Sequence, residues 1–70
     1  MTKGTVRWYN AEEGWGVLDS EDTPGGCAVM FSHIEMEGFR FLTEGQRVTF
    51  QPERGPQDGY PYRAVRVVPA

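Results

Sequence analysis

Lys3–Leu18, KGTVRWYNAEEGWGVL, reads as two short strands joined by a tight turn at Asn10–Gly14. Three of the nine aromatic residues, Trp8, Tyr9 and Trp15, fall within eight positions of it, and Arg7 sits beside them. A strand sends neighbouring side chains to opposite faces, so Trp8 and Tyr9 cannot both enter one core. At least one large ring is expected to face water. A flat exposed ring next to a cation is a surface on which an unpaired nucleic-acid base can stack. Gly14 and Gly16 flank Trp15 without side chains and leave its ring reachable.

Outward from this stretch the chain continues in short apolar runs separated by turns. The first strand covers residues 3–10, and Trp15–Ser20 is the second, with Trp15 and Val17 on one face and Gly16 and Leu18 on the other. SEDTPGG, Ser20–Gly26, is a loop. Cys27–Ser32 is a third strand, with Cys27, Val29 and Phe31 opposed to Ala28 and Met30. His33–Glu37 is too short for more than one helical turn. Gly38–Gly45 is a connection that carries Phe39 and Phe41, unusually apolar for a loop. Gln46–Gln51 alternates with Val48 and Phe50 inward, Pro52–Pro61 reads as a turn-rich loop, and Tyr62–Val68 ends the chain with Val65 and Val67 inward. Five short strands without a helical period predict an all-β fold, a closed five-stranded antiparallel barrel that leaves no exposed edge.

Seventy residues suit one domain, here residues 1–70. A chain of this size buries only about 60% of its unfolded surface, which argues against a large active-site cleft. One His and one Cys cannot supply a zinc site, which needs about four ligands. Neighbouring Ser32 and His33 point apart and make no nucleophile and base. The glycines of EGWGVL lack the Gly-Lys-Ser/Thr ending of a phosphate loop. Neither catalysis, a metal nor another cofactor is expected. Lone Cys27 forms no internal disulfide, and no apolar run reaches signal-peptide or membrane-span length, which fits a cytoplasmic protein without a membrane. The net charge of −3 runs against a nucleic-acid partner. Its distribution softens this: Lys3, Arg7, Arg54, Arg63 and Arg66 lie in or near strands, while the acids gather in the apparent turns.

KGTVRWYNAEEGWGVL followed by SHIEMEGFRFLTEGQRVTF resembles the bacterial cold-shock protein family over nearly the whole chain. Gly4-Thr5-Val6-Arg7-Trp8-Tyr9-Asn10 matches the family's opening strand, and Gly14-Trp15-Gly16-Val17 its first ribonucleoprotein motif. Gly38-Phe39-Arg40, Glu44-Gly45-Gln46 and Gly55-Pro56-Gln57 match later segments. The resemblance implies a barrel of the oligonucleotide-binding (OB) type that binds single-stranded RNA or DNA on surface aromatics. By position it implies contacts from Arg7, Trp8, Tyr9, Trp15, Phe31, Phe39 and Arg54, with Val17, Met30 and His33 on or at the rim of the same surface.

The second ribonucleoprotein motif departs from the family. Where the family carries Val-Phe-Val-His-Phe this chain has Cys27-Ala28-Val29-Met30-Phe31, and Val17 stands for a Phe in the first motif. The centre of the surface thus loses two rings and an imidazole, each stack being worth about 1–3 kcal/mol. Tyr60 or Tyr62 could fold over the surface and replace a ring, or only stiffen the loop that holds them. The thinned surface and the acidic balance motivate a rival, a barrel given over to protein–protein contacts. A monomer is expected, with pairing through Ala28 and Met30, or through oxidised Cys27, left open.

Overall fold

The computed structural model describes residues 1–70. Five strands, β1 (Thr2–Asn10), β2 (Trp15–Asp19), β3 (Cys27–Met30), β4 (Arg47–Gln57) and β5 (Tyr60–Pro69), close into a barrel in the order β1-β2-β3-β5-β4. One 3-10 turn, Phe31–His33, follows β3. The expected strand there runs too long, and Phe31 belongs to the turn. The pairings are antiparallel except for β3 with β5, which is parallel through Cys27↔Tyr62 and Ala28↔Arg63. An all-antiparallel ring was the expectation. A ring of five cannot alternate direction all the way round, so one junction must be parallel.

The first strand does not keep a period of two. Val6 pairs with Leu18, but Trp8 pairs with Val17, so Arg7 is an extra residue, a β-bulge. Val6 is buried, and the bulge turns Trp8, which shares its parity, to the outside. Tyr9 turns inward, packs against the core and donates its hydroxyl to the Arg40 carbonyl at 3.4 Å. Gly16, opposite Tyr9, admits this ring: a methyl group there would overlap the Trp8 carbonyl oxygen and lie 2.8 Å from Tyr9 Cα. Gly16 therefore serves the core, not the openness of Trp15.

Val6, Leu18, Cys27, Val29, Ile34, Leu42, Val48, Phe50, Ala64 and Val67 form one core cluster. Leu18 and Phe50, inward by expectation, are fully buried. Val65 is not. Gln51 pairs with Arg66 and Pro52 with Ala64, so a second bulge at Val65 shifts the inward position to Ala64.

The largest correction concerns Pro52–Pro61. Both strands run through it and meet at a two-residue turn, with Gln57 paired to Tyr60. Asp58 and Gly59 both have positive φ, 51° and 87°, which is the hairpin turn that Asp-Gly favours. β4 pairs with β1 only from Arg47 to Phe50, so beyond Phe50 it is paired with β5 alone. The tip is a hairpin arm.

Cys27 is fully buried, and burial pushes its thiol up to about 12. Linking two folded chains through it would require opening the barrel. The raised value favours the neutral thiol in the fold, so this contribution to stability is complete below the unfolded value of about 8.5 and is lost as pH climbs toward 12. Iodoacetamide at pH 8 should alkylate Cys27 far more slowly in the native protein than in denaturant, as followed by mass spectrometry; equal rates would contradict its burial. Gly16→Ala should cost about 1–3 kcal/mol or more by overpacking. In a domain this small each kcal/mol lowers the thermal midpoint by about 4–8 °C, readable by circular dichroism.

Candidate nucleic-acid interface

The bulge and the register build one outward face. Trp8 stands opposite Val17, Asn10 opposite Trp15, Trp15 opposite Met30, and Val17 opposite Ala28. Trp8 and Trp15 meet edge to face, with ring centroids 4.8 Å apart and planes at 76°. Both remain partly exposed. The indole Nε1 of Trp15 donates to Glu13 Oε1 at 3.2 Å, which fixes the ring against the β1–β2 turn. That turn is itself held by Asn10, whose Oδ1 accepts the Glu13 N–H at 3.0 Å.

Beside the indoles lies a second aromatic group. Phe31 is 51% exposed and Phe39 68% exposed. Phe31 packs against Gly14: a methyl group at Gly14 would come within 2.9 Å of Phe31 Cδ1. The Phe31 N–H also donates to the Gly14 carbonyl at 2.8 Å, joining the 3-10 turn to the β1–β2 turn. Phe39 and Phe41 stack at 5.7 Å with planes 30° apart. An open cleft of about 500 Å³ adjoins this junction, lined by Phe31, Phe39, Arg40, Glu12 and Glu13.

Other expected residues are placed differently. Val17 is completely covered, as is Ala28, so neither offers a surface to a ligand. Tyr60 of the hairpin arm and Arg7 lie close to Val17. Around the point where a methyl on Gly26 would sit, Tyr60 Cδ1, Arg7 Nη2 and Val17 Cγ1 converge within 2.9, 3.1 and 3.2 Å. Tyr60 also meets Trp15 at 6.3 Å and 60°. Of the two tyrosines left open by the sequence, Tyr60 reaches the outer face, while Tyr62 packs against the core. Tyr9 faces inward. Met30 is half-buried beside Trp15, and His33 is exposed on the 3-10 turn next to Phe31.

Arg7 is not a free cation. Its Nε donates to both Asp19 oxygens at 2.9 and 3.1 Å, and its Nη2 donates to Oδ1 at 2.6 Å. These hydrogen bonds raise the guanidinium pKa above its already high value. The pair is solvent-exposed and is worth at most about 1 kcal/mol to stability. Arg63 pairs with Glu53, and Arg66 with Glu35. Lys3, Arg40, Arg47 and Arg54 are left without a carboxylate. Arg54 lies on the arm, donating to the Tyr62 hydroxyl at 3.2 Å with its guanidinium over that ring.

One part of this face has no sign in the sequence, the stacking of Phe41 on Phe39. Tyr60, one of the two tyrosines that could reach the surface, does so because Asp58-Gly59 makes a hairpin turn where the sequence suggests a loop.

The chain matches a family model described as the 'Cold-shock' DNA-binding domain over residues 2–68. It is 46% identical over 72 aligned positions to cold shock protein 1 of Lactiplantibacillus plantarum, covering 99% of this chain and 98% of that one. It is 41% identical to the cold shock-like protein CspD of Vibrio cholerae, covering 99% and 87%, and 46% identical to cold shock protein CspC of Bacillus subtilis, covering 79% and 82%. With the barrel, the outward indoles and these matches all spanning nearly the same residues, the chain belongs to the cold-shock domain family.

Proposed function

We propose that this protein binds single-stranded RNA or DNA by stacking unpaired bases on Trp8, Trp15, Phe31 and Phe39, and that it holds the strand open without chemistry. The observation that carries this reading is one continuous outward face on which two indoles touch and two phenylalanines stand more than half exposed. Every base has a π-face, so such a surface takes most sequences, at about 1–3 kcal/mol per stacked base. Met30 adds a soft apolar contact beside Trp15. Arg40 is the cation of the cleft, and Arg54 and His33 stand at the rim. Keeping strands unpaired suits an RNA chaperone or a modulator of transcription or translation. The protein acts as a monomer in the cytoplasm on this reading; no helix is long and apolar enough to cross a membrane.

The rival, a protein-interaction barrel, rested on a thinned platform. The face keeps its indoles, its exposed phenylalanines and a tyrosine from the arm, and the family match favours nucleic acid.

Titration with an oligothymidine of about seven nucleotides, within the span of one such barrel, should quench the tryptophan fluorescence. Three of the arginines are already paired with carboxylates. The slope of log K against log salt should therefore be shallow, no steeper than about −2, at roughly −0.7 per phosphate neutralised. Absence of quenching at high oligonucleotide concentration would sink the reading. Phe39→Ala should weaken binding by about 5- to 150-fold. Because the ring is mostly in water, its thermal midpoint should stay within the change expected of about 0.5 kcal/mol. Trp15→Ala should weaken binding more than it weakens folding, where edge contacts of about 0.5–1.5 kcal/mol each and the hydrogen bond to Glu13 are lost from a half-exposed ring.

A further inference from the structure

The centre of the outward face has a shape that the strands β1 to β3 do not make by themselves. Val17 and Ala28 are opposite one another there, carry no ring, and are fully covered. Nucleotides laid along Trp8 and Trp15 would reach this centre next. The side chain they would meet is Tyr60.

Four features place that ring. The Asp58-Gly59 turn ends the arm so that Tyr60 is the first residue of β5. Pro61 then rests on the 20–26 loop, its Cγ 3.0 Å from where a methyl on Gly25 would sit. The Tyr60 ring meets the edge of Trp15 and lies against Val17 and Gly26. Finally, the Arg7 guanidinium lies over the ring, 5.8 Å from its centroid, and is itself held by both Asp19 oxygens. The arm is anchored to β3 at Tyr62 and Arg63, and only its tip beyond them is paired with itself alone, as in the less stable parts of a fold. Arg7, oriented by Asp19 within the sheet, contacts that tip through the Tyr60 ring. Arg7 is thereby a positioning residue for Tyr60 more than a phosphate contact.

The ring is only half-buried, so it keeps surface open to solvent while continuing the row Trp8, Trp15, Tyr60. We infer that Tyr60 is the third stacking ring of the interface, supplied by the hairpin arm, and that it takes one unpaired base of single-stranded RNA or DNA over the ring-less centre at Val17 and Ala28. This rests on the proposed function above and adds to it a base subsite and the residue that forms it.

The test is the same oligothymidine titration, run on the full chain with Tyr60→Leu, Tyr60→Phe and Phe39→Ala beside the parent. Leucine keeps an apolar cover on Val17 but has no π-face, and should weaken binding about 5- to 150-fold. Phenylalanine keeps the ring and should bind within about twofold of the parent. Tyr60→Leu binding like the parent, or more tightly, would overturn the subsite; tighter binding would mark Tyr60 as a lid that the strand must displace. Equal weakness of Tyr60→Phe and Tyr60→Leu would overturn stacking in favour of the hydroxyl. Should Tyr60→Leu not fold, photocrosslinking of the unaltered protein to an oligothymidine carrying 5-iodouracil decides: adducts at Tyr60 support the inference, and adducts confined to Trp8, Trp15, Phe31 or Phe39 refute it. If parent and variants alike leave the oligonucleotide free, the proposed function falls and the subsite with it. If Phe39→Ala weakens binding and Tyr60→Leu does not, only the subsite falls.

Discussion

One extra residue in the first strand, at Arg7, determines which aromatic rings this protein shows to water. Without the bulge, Val6 and Trp8 would share a face, and either a valine would leave the core or an indole would have to enter it. With it, Val6 pairs with core residue Leu18, Trp8 moves outward opposite Val17, and Tyr9 fills the space that Gly16 leaves open. The bulge also puts the Arg7 side chain where it can reach Asp19 and the tip of the arm. Core packing and interface geometry are thus consequences of a single shift in register.

The electrostatics follow a different logic from that of a basic nucleic-acid binder. Three arginines are tied to acidic side chains, and the turn nearest the indoles carries Glu12 and Glu13. Glu13 orients Trp15 by accepting its N–H. Acids beside the rings repel phosphate over roughly a Debye length, about 8 Å at physiological salt. Affinity must therefore come chiefly from desolvating and stacking bases, and the backbone is held weakly. Such a surface discriminates unpaired from paired strands, since a base within a duplex has no free face to offer.

The sequence disclosed the strands, the turn chemistry and most of the rings, because alternation and turn residues are local signals. Leu18, Val48 and Phe50 could be placed inward from parity alone. What parity could not supply were the bulges, which change it partway along a strand. Alternation alone leaves open which of Trp8 and Tyr9 faces water, and places Val65 inward, for that one reason. The parallel junction between β3 and β5 is a property of the closed ring and has no local sign. Pro52–Pro61 misleads differently: three prolines and two glycines suggest a loop, yet Asp58-Gly59 is the turn, and Gly55 and Pro56 occupy a register irregularity where β4 has no second neighbour. Proline is tolerated there because no ladder partner needs its missing N–H.

The arm changes what the substitutions at Val17 and Ala28 mean. Seen along the chain, they are two missing rings and a weaker platform. Seen in the fold, the small side chain at Val17 leaves room beside Gly26 that the Tyr60 ring approaches. A phenylalanine at position 17 would compete with Tyr60 for the volume beside Gly26, where Tyr60, Arg7 and Val17 already converge within 3.2 Å of a single point. The small side chain at Val17 and the hairpin that carries Tyr60 are therefore one arrangement. The Tyr60 ring sits two residues from the β3 pairing at Tyr62, against the edge of Trp15 and under the Arg7 guanidinium that Asp19 holds, so the sheet and the arm fix it together.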